Sequence, residues 1–325
     1  CDPRELRMRD ALQPGDPTSP GERFTDSRGR PDLCRQTVAE ASGYADRAKE
    51  GHPPAEVPEG KVRGFGVAAL HKAPAMPVFT SCSCIIKFNE DASVNVLVSG
   101  VDYGQGTYTA LAGIAAQELS IPVEKVHVTF DQDTATQPYD WQTVASRFAF
   151  MGGNAVIDAA QDCLRQLREV AGQVLHARPD DLVCEDEVVY VRQNPHQSVP
   201  YRALVIGYVF ENGNSIGGPI NGRGKYIAQG LSHLDPKDGQ GKAAIHWTYG
   251  AHGVEVEVDT ETGDVEVINI ASAFDAGRVL HEGLCRTQVE GGVIQGLGSA
   301  LIEEFKFDEA GRHMNPTFVD LKSPT

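Results

Sequence analysis

The chain has 325 residues, 41% hydrophobic and 23% charged, with 29 basic against 45 acidic side chains and a formal net charge of −16. That composition suits a globular protein of about two domains with a sizeable core, and its acidity disfavours nucleic acid or an anionic membrane surface as the main partner. No apolar run approaches the roughly 20 residues a membrane helix needs, no signal peptide is evident, and the seven cysteines form no disulfide pattern, so the expected compartment is the reducing cytoplasm.

In chain order, residues 1–60 are rich in Pro, Gly, Arg and Asp. They read as an extended connector with short helical pieces around Arg4–Ala11 and Leu33–Glu50. A strand-like RGFGVAAL follows. SCSCIIKF, the turn NEDAS and VNVLVSG read as a β-hairpin. Cys82 and Cys84 are two apart on its first strand and so share a face, where two small buried hydrophobes are the better reading than a metal pair. Leu111, Ile114, Ala115 and Leu119 recur at helical spacing over Thr107–Leu119, VEKVHVTF reads as a strand, and Asn154–Leu175 carries the clearest amphipathic pattern. In the second half LVCEDEVVYV reads as strands and the Gly/Asn-rich 211–224 as a loop. GVEVEVDTETGDVEVINIASAF alternates around a turn at Thr260–Asp264, and a last helix is expected from about Gln288 to Glu304. Each half thus pairs a hairpin-containing sheet with helices. The class is α+β, with one subdomain over 61–176 and a second over 177–325. Both chain ends, at Cys1 without a methionine and at Thr325 after a strand-like segment, read as cuts inside a larger architecture.

Self-contained chemistry is hard to find. No cysteines form Cys-x-x-Cys, the ten histidines form no His-Glu-x-x-His, and Ser146 lacks a nucleophile-elbow context. Three helices, however, are expected to start after polar or glycine-rich turns: Gly104-Gln105-Gly106 with the hydroxyls of Thr107 and Thr109, then Gln142–Gly153, then Cys285–Gly292. A helix N-terminus offers free N–H groups and a positive dipole end, glycine admits a ligand close to the backbone, and Gln both donates and accepts. None of the three matches a known phosphate loop, and any one alone is better read as a capped turn without ligand.

Taken in order, GQGTYTALAGIAAQELSIPVEKVHV, PYDWQTVASRFAFMGGNAV, GAHGVEVEVDTETGDVEVINIASAFDAGRVL and QVEGGVIQGLGSALIEE closely resemble the molybdopterin-binding subunit of the xanthine dehydrogenase / aldehyde oxidase family of molybdenum hydroxylases. The resemblance extends from DPRELRMRDAL to NPTFVDLKSPT. It implies two subdomains of the molybdenum-cofactor-binding type and a molybdopterin-type cofactor, often a cytosine dinucleotide in bacterial members. It also implies partners: the remaining part of the molybdenum subunit, an iron–sulfur subunit and an FAD subunit. The implied reaction is hydroxylation, with oxygen from water, of an electron-poor carbon of an N-heteroaromatic (purine or nicotinate type) or an aldehyde.

Residue by residue, the resemblance implies cofactor contacts at Tyr103, Gly104, Gln105, Gly106 and Thr107, at Thr143, Val144, Ala145, Ser146 and Arg147, and at Gln288 heading the late helix. Ala145 and Gln105 would lie near the molybdenum, with no direct metal ligand from the chain. The loop Asp275–Thr287 would lie near the pyrophosphate or nucleotide end, although LHEG at Leu280–Gly283 and Thr287 depart from the family pattern. His71, Met76 and Phe79 are candidates for substrate contact, and a packed loop accounts for them equally well. The family's general-base Glu is expected beyond Thr325, and the first half of the site upstream of Cys1. Half a site therefore leaves alternatives open: a structural or cofactor-carrier subunit of the same fold without its own base, or an unrelated nucleotide-binding protein using the Gly-Gln-Gly turn.

Overall fold

The computed structural model describes residues 30–44, 57–74, 78–129, 132–322 and 324; the helical piece expected around Arg4–Ala11 lies outside them. The class is α+β, as expected. The chain divides into two units, residues 74–245 and a second made of the residues up to 73 together with those from 246 onward. The boundary expected at 176/177 therefore runs through the first unit, because the strands that follow it dock on the long helix that precedes it.

In the 74–245 unit, β2 (Ser81–Phe88) and β3 (Val94–Leu97) form the expected hairpin, β4 (Val126–Val128) joins β3 in parallel, and β10 (Asn221–Ile227) pairs antiparallel with β2. Alternation along β2 buries Cys82, Cys84, Ile86 and Phe88. Both cysteines are small core hydrophobes, and burial pushes their thiol pKa values up. Helix α2 (Thr107–Leu119) runs over the predicted residues and buries Leu111, Ala115 and Leu119. Helix α3 (Phe148–Val174) starts six residues earlier than Asn154. Gly152 and Gly153, read as a turn, lie inside it because there is no room for side chains. A Cβ on Gly152 would meet the Phe148 ring at 2.8–3.0 Å, and one on Gly153 would meet Ile114 at 3.0 Å.

The same reason corrects the supposed loop 211–224, which carries the two-residue strand β9 (Ser215–Ile216) and the start of β10. A Cβ on Gly222 or Gly224 would sit 2.1 Å from the carbonyl oxygen of Ala159 or Ala155, so α3 rests directly on the β10 backbone. β9 pairs with β8 (Tyr208–Val209). A small sheet of β5 (Leu182–Glu185), β6 (Val188–Val191) and β7 (Asn194–Pro200) completes the unit. Tyr201, which follows it, is buried and donates from its hydroxyl to Leu119 O at 3.1 Å.

In the other unit, β1 (Lys61–Lys72), β11 (Thr248–Asp259) and β12 (Val265–Asp275) make an antiparallel sheet, with β11 in the centre and a bulge at Glu255/Val256. Helix α1 (Pro31–Ala41) sets Cys34 and Val38 against Ala251, over the space left by Gly253, where a Cβ would meet Val38 at 2.7 Å. Lys61 and Arg63 each reach Glu257 at 2.8 Å, and Arg63 also reaches Glu255 at 2.8 Å. Hydrogen bonds from Lys61 and Arg63 hold the Glu257 carboxyl below its usual range. Helix α4 (Glu282–Leu301) begins six residues before Gln288 because His281 caps it, Nδ1 accepting from Leu284 N at 3.2 Å.

Candidate functional site

Two of the three predicted segments come together in the 74–245 unit. β3 ends into Val98–Gly100, and Gly100 lies under the buried Phe148 ring at the start of α3. The next residue, Val101, donates its N–H to Thr143 Oγ1 at 2.8 Å, and the hydroxyl of Tyr103 donates to Thr143 O at 2.7 Å. Thr143 is thus the joint between Tyr103–Thr107 and Thr143–Arg147, forty residues apart in sequence.

The first turn is held from inside. Gln105 donates from Nε2 to Val101 O and to Thr107 Oγ1, both at 2.8 Å, and accepts at Oε1 from Tyr103 N at 2.6 Å. Gly104 and Gly106 take left-handed φ values of 112° and 82° that favour glycine. Nothing lies within 4 Å of where a Gly104 Cβ would be, so the surface above it is open. Asp102, which the sequence reading missed, accepts from Gly104 N at 2.8 Å, Gly106 N at 3.3 Å and Tyr108 N at 3.1 Å. Burial works against its charge, but the backbone N–H groups of Gly104, Tyr108, Gly106 and Thr107 outweigh it and hold the carboxyl below its usual range. The signal that could have found it is an Asp shortly before a helix start, the residue type that caps by accepting backbone N–H bonds.

The second turn runs along β2, with Tyr139 O accepting from Ser83 N at 2.8 Å and Ser81 O from Trp141 N at 3.2 Å. Ala145 and Ser146 follow each other at φ 56° and 59°, a strained pair for residues with a Cβ. Arg147 is 0% exposed. Its Nη2 donates to Asp140 Oδ1 at 2.7 Å, and its guanidinium lies 5.4 Å from the centre of the Trp141 ring. Its Nε and Nη1 are buried without a hydrogen-bond partner. Two orphaned donors on a buried cation are costly unless an acceptor arrives. Asp140 carried no signal in the sequence; its role follows from pairing with a guanidinium seven residues on.

The other predicted residues lie apart. Gln288 is exposed and sits inside α4 rather than at its head, a correction that follows from the His281 cap. His71 is exposed in β1, its ring centre 5.5 Å from that of Trp247. Phe79, 65% exposed, belongs to the 74–245 unit and meets His233 edge-on at 6.5 Å. Met76 lies outside the described residues. Among the described residues no group of three His, Cys, Asp or Glu side chains could hold a metal ion, and no helix is long and apolar enough to cross a membrane.

A profile of the molybdopterin cofactor-binding domain matches residues 37–325. The chain belongs to that family. Its relatives include the large subunit of nicotine 6-hydroxylase from Paenarthrobacter nicotinovorans, 29% identical over 241 residues that cover 74% of this chain and 28% of the relative. The xanthine dehydrogenase molybdenum-binding subunit of Escherichia coli O157:H7 is 26% identical over 335 residues, 100% of this chain and 41% of the relative. Quinoline 2-oxidoreductase from Pseudomonas putida 86 shares the fold of this molybdopterin-binding chain, with a TM-score of 0.76 at 22% identity, over 99% of this chain and 40% of that one. The molybdopterin-binding chain therefore spans between about a quarter and two fifths of these proteins.

Proposed function

We propose that this chain supplies part of the molybdenum–pterin site of a hydroxylase of the xanthine dehydrogenase type, with Tyr103–Thr107 and Thr143–Arg147 as its cofactor-contacting segments. The observation that carries the reading is the Thr143 joint, which draws together the two segments that the family resemblance singles out. A pterin cofactor is anionic through its phosphate and dithiolene. The unpartnered Nε and Nη1 of Arg147 suit its charge, and the open surface above Gly104 leaves room for its rings. When bound, the cofactor supplies the oxidative chemistry, hydroxylating an electron-poor carbon with oxygen from water. The protein's share is positional. Thr143 fixes the spacing of the two turns, Arg147 offers donors to an anion, and Tyr103, 71% exposed, walls the approach.

The finer assignments rest on the family. The substrate is an N-heteroaromatic or an aldehyde, since the relatives include proteins named for nicotine and for aldehydes. The cytosine dinucleotide form of the cofactor, a role for Gln288 on its nucleotide side, substrate contacts at His71 and Phe79, and iron–sulfur and FAD partner chains complete the proposal, with the cytoplasm as its compartment. A cofactor-carrier role without a base is the second reading. It is favoured by the commitment of both carboxylates of the turns, Asp102 to backbone N–H groups and Asp140 to Arg147, so neither serves as a general base. The test is elemental and pterin analysis of the natural full-length assembly. Molybdenum near one per copy, with a fluorescent pterin on oxidation, is expected, and absence of both sinks the reading. Turnover of a heteroaromatic by that assembly separates enzyme from carrier.

A further inference from the structure

Asp102 plays no part in the family resemblance, yet it makes as many hydrogen bonds within the first turn as Gln105 does. Oδ1 takes the N–H groups of Gly104 and Gly106, and Oδ2 takes that of Tyr108. Gly106, the residue that precedes α2, has no side chain with which to cap it. Tyr108 lies in the first turn of α2, so Asp102 reaches past the glycines to satisfy one of the N–H groups that every helix start leaves without a partner. It also sets a negative charge against the positive end of the helix, where a bound anion would otherwise sit. Without those bonds Gly104 and Gly106 are residues that sample both signs of φ freely, and the open surface above Gly104 loses its shape.

We propose that Asp102 is the positioning residue of the cofactor turn: its carboxylate fixes the Gly104–Tyr108 backbone and fills the anion position of α2, so that a ligand phosphate is turned away from this helix end. The second half of the proposal runs against the simplest expectation for a glycine-flanked helix start, which is that the helix itself binds the anion. Repulsion from a carboxylate already in place opposes a second negative charge there, whereas Arg147, on the far side of the Thr143 joint, has two donors unspent. The inference rests on the reading of this turn as a cofactor contact, and the experiment separates the two.

The natural full-length assembly, with and without cofactor, is compared with its Asp102→Ala and Asp102→Asn variants by hydrogen exchange resolved to single amides. In the cofactor-free form Asp102→Ala speeds exchange of Gly104, Gly106 and Tyr108 about tenfold or more, whereas Asp102→Asn, keeping one carbonyl acceptor, protects the two glycines and releases Tyr108. Inorganic phosphate restores protection at Tyr108 in the alanine variant and does nothing in the wild type. Molybdenum and pterin content falls in Asp102→Ala and is rescued by Asp102→Asn. Unchanged exchange in Asp102→Ala, or phosphate protection of Tyr108 in the wild type, overturns the positioning role. Lost protection with full cofactor content overturns instead the reading of the turn as a cofactor contact. If Asp102→Ala does not fold, the asparagine variant decides alone: equal loss at all three amides, or at none, counts against the geometry.

Discussion

Gly100 is where core packing meets the candidate site, and replacing it by Ala tests that link. A methyl group there would lie 2.0–2.5 Å from three atoms of the Phe148 ring. The ring is 3% exposed, and a Cβ on Gly152 would meet those same three atoms at 2.8–3.0 Å, so the ring has nowhere to swing without moving the start of α3 and the Arg147 turn before it. Gly100→Ala is therefore expected to cost about 2–3 kcal/mol, the upper part of the overpacking range. Phe148→Ala leaves a cavity and costs about 3–5 kcal/mol. With the ring gone, the methyl has room. The double variant then falls short of the summed single costs by about 2–3 kcal/mol, a coupling well above the usual scatter of independent sites. Urea unfolding followed by tryptophan fluorescence measures it. The chain has two tryptophans, so a Trp247→Phe background leaves Trp141 as a reporter inside the 74–245 unit. Strict additivity of the two substitutions would refute the reasoning, because it would mean that the ring and the glycine do not share one space.

Gln105→Ala deletes three hydrogen bonds of a part-exposed turn, about 1–3 kcal/mol of local order, so the Tyr103 amide exchanges about ten- to a hundredfold faster while the global midpoint moves little. Cofactor content of the natural assembly falls with it; unchanged exchange and full molybdenum would mean that the turn is misread. Gly224→Ala drives a methyl to 2.1 Å from Ala155 O, a backbone atom that cannot step aside. It costs at least about 3 kcal/mol, and calorimetry reads a midpoint roughly 6–12 °C lower. Burial lowers the pKa of His252, whose Nδ1 lies 2.7 Å from Ser272 Oγ. Its neutral form is thus favoured by folding: the contribution is fully present above the unfolded value of about 6.5 and is lost as pH falls from there through the lowered folded value. A pH series of unfolding midpoints shows that slope in the wild type and not in His252→Gln.

Much of this architecture was legible in the sequence. Helix α2 and the two hairpins follow from apolar spacing that the core uses directly, Leu111, Ala115 and Leu119 on one helix face and Cys82 to Phe88 on one strand face. The misreadings share one physical cause. Gly152, Gly153, Gly222 and Gly224 were read as conformational freedom and so as turns or loop. In the fold Gly152 makes room for a ring, Gly153 for a neighbouring side chain, and Gly222 and Gly224 for the backbone of α3. Composition does not distinguish a glycine needed for its φ, such as Gly104, from one needed for its missing side chain. Within the site, the Gly-Gln-Gly and Thr-Val-Ala-Ser segments were legible as motifs. Their connection through Thr143 and the pairing of Asp140 with Arg147 were not, because they join positions that no period relates. Asp102 was legible in principle, as an Asp shortly before a helix start whose own preceding residue, Gly106, has no side chain to cap with.

The pairing of β1 with β11 has a consequence for biosynthesis. Lys61 faces Asp259 and Lys72 faces Thr248, so β1 must wait for about 180 residues to be translated before its partner appears, roughly 10–40 s at ordinary elongation rates. Small domains fold within that interval. The 74–245 unit, with both turns, therefore has time to close around its own core while β1 is still an unpaired strand, and the sheet that brackets it in sequence zips up last. Until β11 emerges both edges of β1 are bare, and in the finished sheet, where β1 is an edge strand, one of them stays so.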